Sequence, residues 1–210
     1  MIALRSNPIL DRKPEDQQRE LSQRASLRRR SGRRVMIDAL HRRNAVKDIE
    51  KLPEPGESLH LIARGNFPLW QIVPATLALA APATIERLSI ATLGFSAGNV
   101  TDLMALFDAG KIAAVDIVAS VYFERQNPAE YRMMADGLAQ RGQRIAALRS
   151  HAKVIAMNLT DGKAIAVESS ANLRSCRNIE QITIFHDAEL CRFHARWIRD
   201  VIDAAGGKSR

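Results

Sequence analysis

Cysteine is scarce in this chain. Two residues, Cys176 and Cys191, among 210 are too few for a disulfide framework. The reading that follows is two reduced thiols in an intracellular, cytoplasmic protein. No run of about 18 apolar residues occurs, so no membrane-crossing helix is expected. The N-terminus turns polar within a few residues and lacks the apolar core of a signal peptide. A long amphipathic helix with a broad aromatic face is also missing, which argues against a lipid-surface enzyme. His186 and His194 have no ligand-like spacing to cysteines or carboxylates, so no metal site is expected. Gly94-Phe95-Ser96-Ala97-Gly98 fits neither the dinucleotide nor the Walker pattern and reads as a strand-to-helix turn. No internal repeat is found, and His-x-Lys occurs once.

Positive charge is what the chain has in excess, and it is unevenly placed. Residues 1–52 hold 14 Lys/Arg against 7 Asp/Glu, a net +7 of the chain's +8. Five arginines fall within seven residues: Arg28, Arg29, Arg30, Arg33 and Arg34. Such a stretch suits sequence-blind contact with backbone phosphates. The natural partner is a polyanion, nucleic acid rather than a membrane, with DNA favoured over RNA. Aromatics do not interleave with these arginines, so the arm itself is not expected to stack on bases.

Residues 1–52 are therefore read as a basic helical N-terminal arm. One helix runs from Pro14 to Arg30, and a second from Arg34 to Leu52 with Met36, Ile37, Leu40, Ala45 and Ile49 as its stripe. Pro53-Glu54-Pro55-Gly56 marks a boundary, and residues 53–210 form the main domain. Within it the text alternates. Strands are expected at Ser58–Ala63, Ile85–Leu93, Ile112–Ser120, Gln143–Leu148, Lys153–Leu159, Ala164–Ser169 and Ile179–Phe185. Helices are expected at Phe67–Leu79, Val100–Ala109, Pro128–Gln140 and Ala188–Ala205, the last through Leu190, Phe193, Trp197, Val201 and Ala205. Alternation followed by a run of strands indicates an α/β domain with a mixed β-sheet flanked by helices.

The chemistry concentrates in one stretch. His151-Ala152-Lys153 places an imidazole and an ammonium two apart, on one face of a strand. Ser169-Ser170-Ala171-Asn172 ends the next strand with a hydroxyl and an amide. A nucleophile beside a cationic and polar cradle suits attack on a phosphodiester. In order and type, His151, Lys153, Ser170 and Asn172 resemble the phospholipase D superfamily motif: His-x-Lys, four residues, Asp, six residues, Gly-Ser-x-Asn. Asn158 stands where the family has Asp, with Asp161 three residues on, and Ser169 stands for Gly. The gap from Lys153 to Ser170 is four residues longer than the family's. Glu180 falls where many members carry a downstream acid.

The resemblance implies a phospholipase D-like fold and metal-independent phosphodiester chemistry without a cofactor. It also implies a homodimer of single-motif chains, in which one His151 forms a phosphohistidine and the other serves as acid and base. Lys153, Ser170 and Asn172 would hold the phosphoryl oxygens, Glu180 would orient His151, and Arg174 and Arg177 would extend the phosphate-binding rim. With the basic arm, the expected activity is that of a nuclease, in a bacterial or phage setting. A catalytically weak or inactive nucleic-acid-binding protein of the same fold is the alternative. Asn158 is expected to be mainly structural.

Overall fold

The computed structural model describes residues 28–29, 34–40, 45–64, 67–174 and 177–206. Nine strands form one mixed sheet: β1 (Arg28–Arg29), β2 (Arg34–Leu40), β3 (Ser58–Arg64), β4 (Ile85–Thr92), β5 (Val115–Ser120), β6 (Arg144–Leu148), β7 (Val154–Leu159), β8 (Ala164–Ser169) and β9 (Ile179–His186). Their order is β1-β2-β3-β9-β8-β7-β4-β5-β6. The pairs β2–β3, β4–β5 and β5–β6 are parallel, and the remaining pairs are antiparallel. Among the described residues six α-helices accompany them: α1 (Ala45–Ile49), α2 (Ile72–Leu79), α3 (Ala97–Asp108), α4 (Val121–Gln126), α5 (Pro128–Ala139) and α6 (Ala188–Gly206).

Both faces of the sheet centre are covered, which explains its unbroken apolar text. Every residue of β5 is buried, Asp116 and Ser120 included. The larger core gathers Leu61, Trp70, Ile72, Phe95, Leu103, Ile117, Ile155 and Ile184 on one side. On the other, α6 packs Ile198 and Ile202 against Ala91, Val118 and Val154. Asp116 is buried there, and its charge is met by Arg87 at 2.7 Å, Arg144 at 3.5 Å and Arg199 at 3.7 Å.

The helix starts are written locally. Ser96 Oγ accepts from Asn99 N and Asn99 Oδ1 accepts from Ser96 N, a reciprocal cap on α3. Asp187 Oδ1 accepts from Glu189 N and Leu190 N at the head of α6. Gly94 is the turn residue that β4 needs. A methyl group there would lie 2.5 Å from Phe123 Cδ2, and Phe123 is pinned against Phe95 with ring centroids 4.6 Å apart. Gly94→Ala is therefore expected to destabilise the fold by about 1–3 kcal/mol through overpacking. Urea denaturation checks this.

Three expectations need correction. The helix expected over residues 34–52 is instead strand β2 followed by the short helix α1. Parallel pairing with β3 overrides the local helical spacing, and β-branched Val35 and Ile37 suit a strand. Of the helix expected over Pro14–Arg30, Arg28 and Arg29 lie in β1, and residues 14–27 and Arg30 lie outside the described residues. On α6 the expected Leu190, Trp197, Val201 and Ala205 do pack, half-buried, against the core clusters, but Phe193 does not, and the fully buried line lies one position on. Cys191, His194, Ala195, Ile198 and Ile202 face the sheet, while Phe193 is 60% exposed. A histidine on the buried face disguised the phase. His194 is accommodated because Glu168 lies opposite it on β8, with His194 Nε2 to Glu168 Oε1 at 2.9 Å.

Candidate active site

The parallel strands β4, β5 and β6 end at one edge of the sheet, where β7 begins and β8 ends. Loops at the carboxyl ends of parallel strands are where open α/β sheets hold ligands. His151 and Lys153 precede β7, and Ser170 and Asn172 follow β8. Both pairs lie just beyond the strands on which the sequence put them. The backbone joins them: Ser169 N donates to Lys153 O at 3.1 Å, so the His-x-Lys segment and the serine pair are neighbours across the β7–β8 ladder.

Lys153 is 8% exposed and His151 is exposed. The lysine Nζ lies 3.1 Å from His151 Nδ1 and donates to His151 O at 3.0 Å. Desolvation by burial pushes the Lys153 pKa below the ordinary lysine value, and the negative charge of Glu180 partly opposes this. An ammonium has donors only, so with Lys153 charged Nδ1 is the acceptor. The proton of the neutral ring then sits on Nε2.

Ser170 is clasped by β9. Its N donates to Gln181 O at 3.0 Å, its Oγ accepts from Gln181 N at 3.0 Å, and its Oγ donates to Glu180 Oε2. Glu180, expected to orient His151, therefore reaches the site through Ser170 and through its field on Lys153. Ser169 Oγ donates to Gln181 O at 2.8 Å and accepts from Ala171 N at 2.8 Å, which turns the chain toward Asn172. Backbone bonds from Leu69 N to Asn172 O and from Trp70 N to Leu173 O, both 3.3 Å, hold that turn against the single-turn helix Leu69–Gln71. Asn172 Oδ1 is buried with no hydrogen-bond partner among the described residues. Amide oxygen and nitrogen interchange by a flip, so this position can also offer two N–H donors to an anion.

The remaining candidates separate clearly. Arg174 and Arg177 are exposed on the loop between Asn172 and β9. Arg28 and Arg29 lie in β1 and Arg34 in β2, whereas Arg30, Arg33 and Cys176 lie outside the described residues. Asn158 sits at the far end of β7 from Lys153, about 17 Å along a strand. It accepts from Cys191 Sγ at 3.3 Å. Burial pushes the Cys191 thiol up to about 11. His186 Nδ1 lies 2.9 Å from Pro53 O, a strand-to-linker contact. Among the described residues no group of three or more His, Cys, Asp or Glu could hold a metal ion. No described helix is long and apolar enough to cross a membrane.

Two features escaped the sequence reading. Trp197 Nε1 donates to His194 Nδ1 at 3.0 Å, which completes a Glu168–His194–Trp197 chain behind the serine pair. The helix α4 was missed as well, although Ser120 caps it by accepting from Tyr122 N at 3.2 Å. A serine directly before Val-Tyr-Phe-Glu-Arg-Gln was the available signal.

No protein-family model and no curated protein matches the chain. Solved structures do match. A polyphosphate kinase from Porphyromonas gingivalis aligns at 15% identity over 70% of this chain and 26% of its own, with a TM-score of 0.50. Nuc, a phospholipase D family member from Salmonella typhimurium, aligns at 17% identity over 69% and 93%, with a TM-score of 0.48. TrmBL2, an archaeal chromatin protein whose structure shows a novel mode of DNA binding, aligns at 14% identity over 69% and 52%, with a TM-score of 0.46. The chain spans about a quarter of the length of the polyphosphate kinase it matches. The likeness to the kinase is one of fold: an α/β mixed sheet flanked by helices, the class that the sequence led us to expect.

Proposed function

We propose that this chain is a phospholipase D-like phosphodiesterase that cleaves nucleic acid without a metal ion. The contact of buried Lys153 with exposed His151, at the strand ends where Ser170 and Asn172 emerge, is the observation that carries the reading. A buried ammonium beside an accessible imidazole is matched to an anion with a reacting centre. Lys153, Ser170 and Asn172 take the non-bridging phosphoryl oxygens. The imidazole works on the phosphorus and on the departing oxygen.

One ring cannot do both jobs in a single step. Attack needs a lone pair on Nε2, and protonation of the leaving oxygen needs Nε2–H. Two copies of His151 across a two-fold axis resolve this, and an isologous dimer is the commonest assembly. His151 of one subunit bonds to phosphorus as the P–O bond breaks. The partner subunit's His151 gives its proton to the leaving oxygen. It then takes a proton from water, which hydrolyses the phosphohistidine. As held by Lys153, the ring is in its proton-donating tautomer. Arrival of the phosphate draws the Lys153 ammonium off Nδ1 and lets the attacking ring carry its proton there.

The alternative is a protein that binds nucleic acid without turnover. It is favoured by Asn158 and Ser169 at the family's Asp and Gly positions, and by Glu180 bonding to Ser170. A cleavage assay in EDTA on single- and double-stranded DNA and RNA separates the two. Cleavage supports the enzyme, while tight binding without cleavage supports the alternative.

The arginine-rich arm is read as a backbone-phosphate contact. Replacing Arg28, Arg29, Arg30, Arg33 and Arg34 with glutamine is expected to weaken binding to all sequences alike. It should also flatten the dependence of log K on log salt by up to about 4.5 on duplex DNA. Binding titrations at several salt concentrations check this.

A further inference from the structure

Beside His151, the carboxyl ends of β4, β5 and β6 enclose an open cup of about 480 Å³. Leu93, Val121 and Tyr122 give it apolar surface, and Ser120, Arg149, Ser150 and His151 complete its lining. Two consecutive aromatics on α4 behave differently there. Phe123 is 3% exposed and packs on Phe95, whereas Tyr122 is 64% exposed. The Ser120 cap fixes the backbone at Tyr122, and Tyr122 lines the cup. Arg149 is exposed and has no ion-pair partner among the described residues.

An apolar cup, an exposed aromatic ring and an exposed guanidinium beside the proposed phosphoryl-transfer histidine match the parts of one nucleotide. The base has a flat apolar face for Tyr122, and its phosphate is anionic like the group that His151 attacks. A paired base inside a duplex has both faces occupied by its neighbours, so only an unstacked base can lie on a side chain. We propose that Tyr122 is a stacking platform for the base next to the scissile phosphate, with Arg149 on the adjoining phosphate. The substrate is accordingly single-stranded nucleic acid. This rests on the nuclease reading and sharpens it to a substrate class.

The test uses the full chain in a His151→Ala background, so that binding is read without turnover. Anisotropy of a labelled single-stranded oligonucleotide is compared for the parent, Tyr122→Ala and Tyr122→Trp, and for the same sequence as duplex. Tyr122→Ala is expected to weaken single-strand binding about 5- to 150-fold and leave duplex binding unchanged, with Tyr122→Trp retaining the parent affinity. An abasic residue next to the scissile position should remove the difference between the parent and Tyr122→Ala. Equal single-strand affinity for Tyr122→Ala and the parent overturns the stacking role and leaves the nuclease reading, tested by wild-type cleavage, standing. Dissociation of Tyr122→Ala into monomers in sedimentation makes a second copy of the chain the occupant and also overturns it. A parent that binds no nucleic acid overturns both readings.

Discussion

His151→Ala is expected to lower phosphodiester cleavage by about 10⁴-fold or more and to leave nucleic-acid affinity within reach of the wild type. The size follows from the role. On the proposed mechanism His151 is nucleophile in one subunit and acid–base in the other, and water cannot replace it in either step. The affinity is preserved because the cations remain. Lys153, Arg149, Arg174 and Arg177 stay in place, and His151 is exposed, so its removal leaves no cavity in the core. Steady-state cleavage and anisotropy on the same preparation check the two halves together. Loss of both activity and binding would instead mark His151 as a structural or binding residue.

Lys153→Met is expected to lower kcat by about 10²–10³-fold, the scale of one removed electrostatic donor, while leaving stability unchanged or higher. Methionine keeps much of the stem and removes a charge that burial disfavours. Lysine's ordinary value is 10.5, and burial holds Lys153 below it. Below the folded-state value the ammonium exists in both folded and unfolded chains, and its desolvation cost is fully present. Between that value and 10.5 the folded chain binds fewer protons than the unfolded one, so this residue makes stability rise with pH there. On the proposed mechanism activity runs the other way, because the phosphate needs the ammonium. The alkaline limb of the pH–rate profile should therefore fall below pH 10.5 in the wild type. The rise in stability should vanish in Lys153→Met, by urea denaturation across the same pH range.

The sheet was legible wherever a strand is buried on both faces. Residues 115–120, 154–159 and 164–169 are short apolar runs between turn residues, and tertiary pairing only confirms what their composition requires. The segment 34–40 was not legible, because Val35-Met36-Ile37 fits a helix stripe as well as a strand, and the partner that decides is 24 residues away at β3. The phase of α6 was hidden by His194, a polar residue on a buried face whose partner Glu168 is remote in sequence. At the site, the residue types were visible in the text, but two facts were not. Lys153 stood beside His151 in the text, but only its packing shows that the lysine is buried while the histidine stays exposed. Glu180 matched an acid's place in a motif, yet Ser170 takes its carboxylate because β9 lies alongside that serine.

Covalent trapping reads the phosphohistidine itself. Wild-type protein is mixed with a single-stranded oligonucleotide in EDTA, quenched in denaturing alkali within the first turnover, and mapped by mass spectrometry. A phosphoryl adduct is expected on the peptide that holds His151, on His151 itself, and none in His151→Ala. Full turnover with no adduct, or an adduct on another residue, would contradict the proposed mechanism.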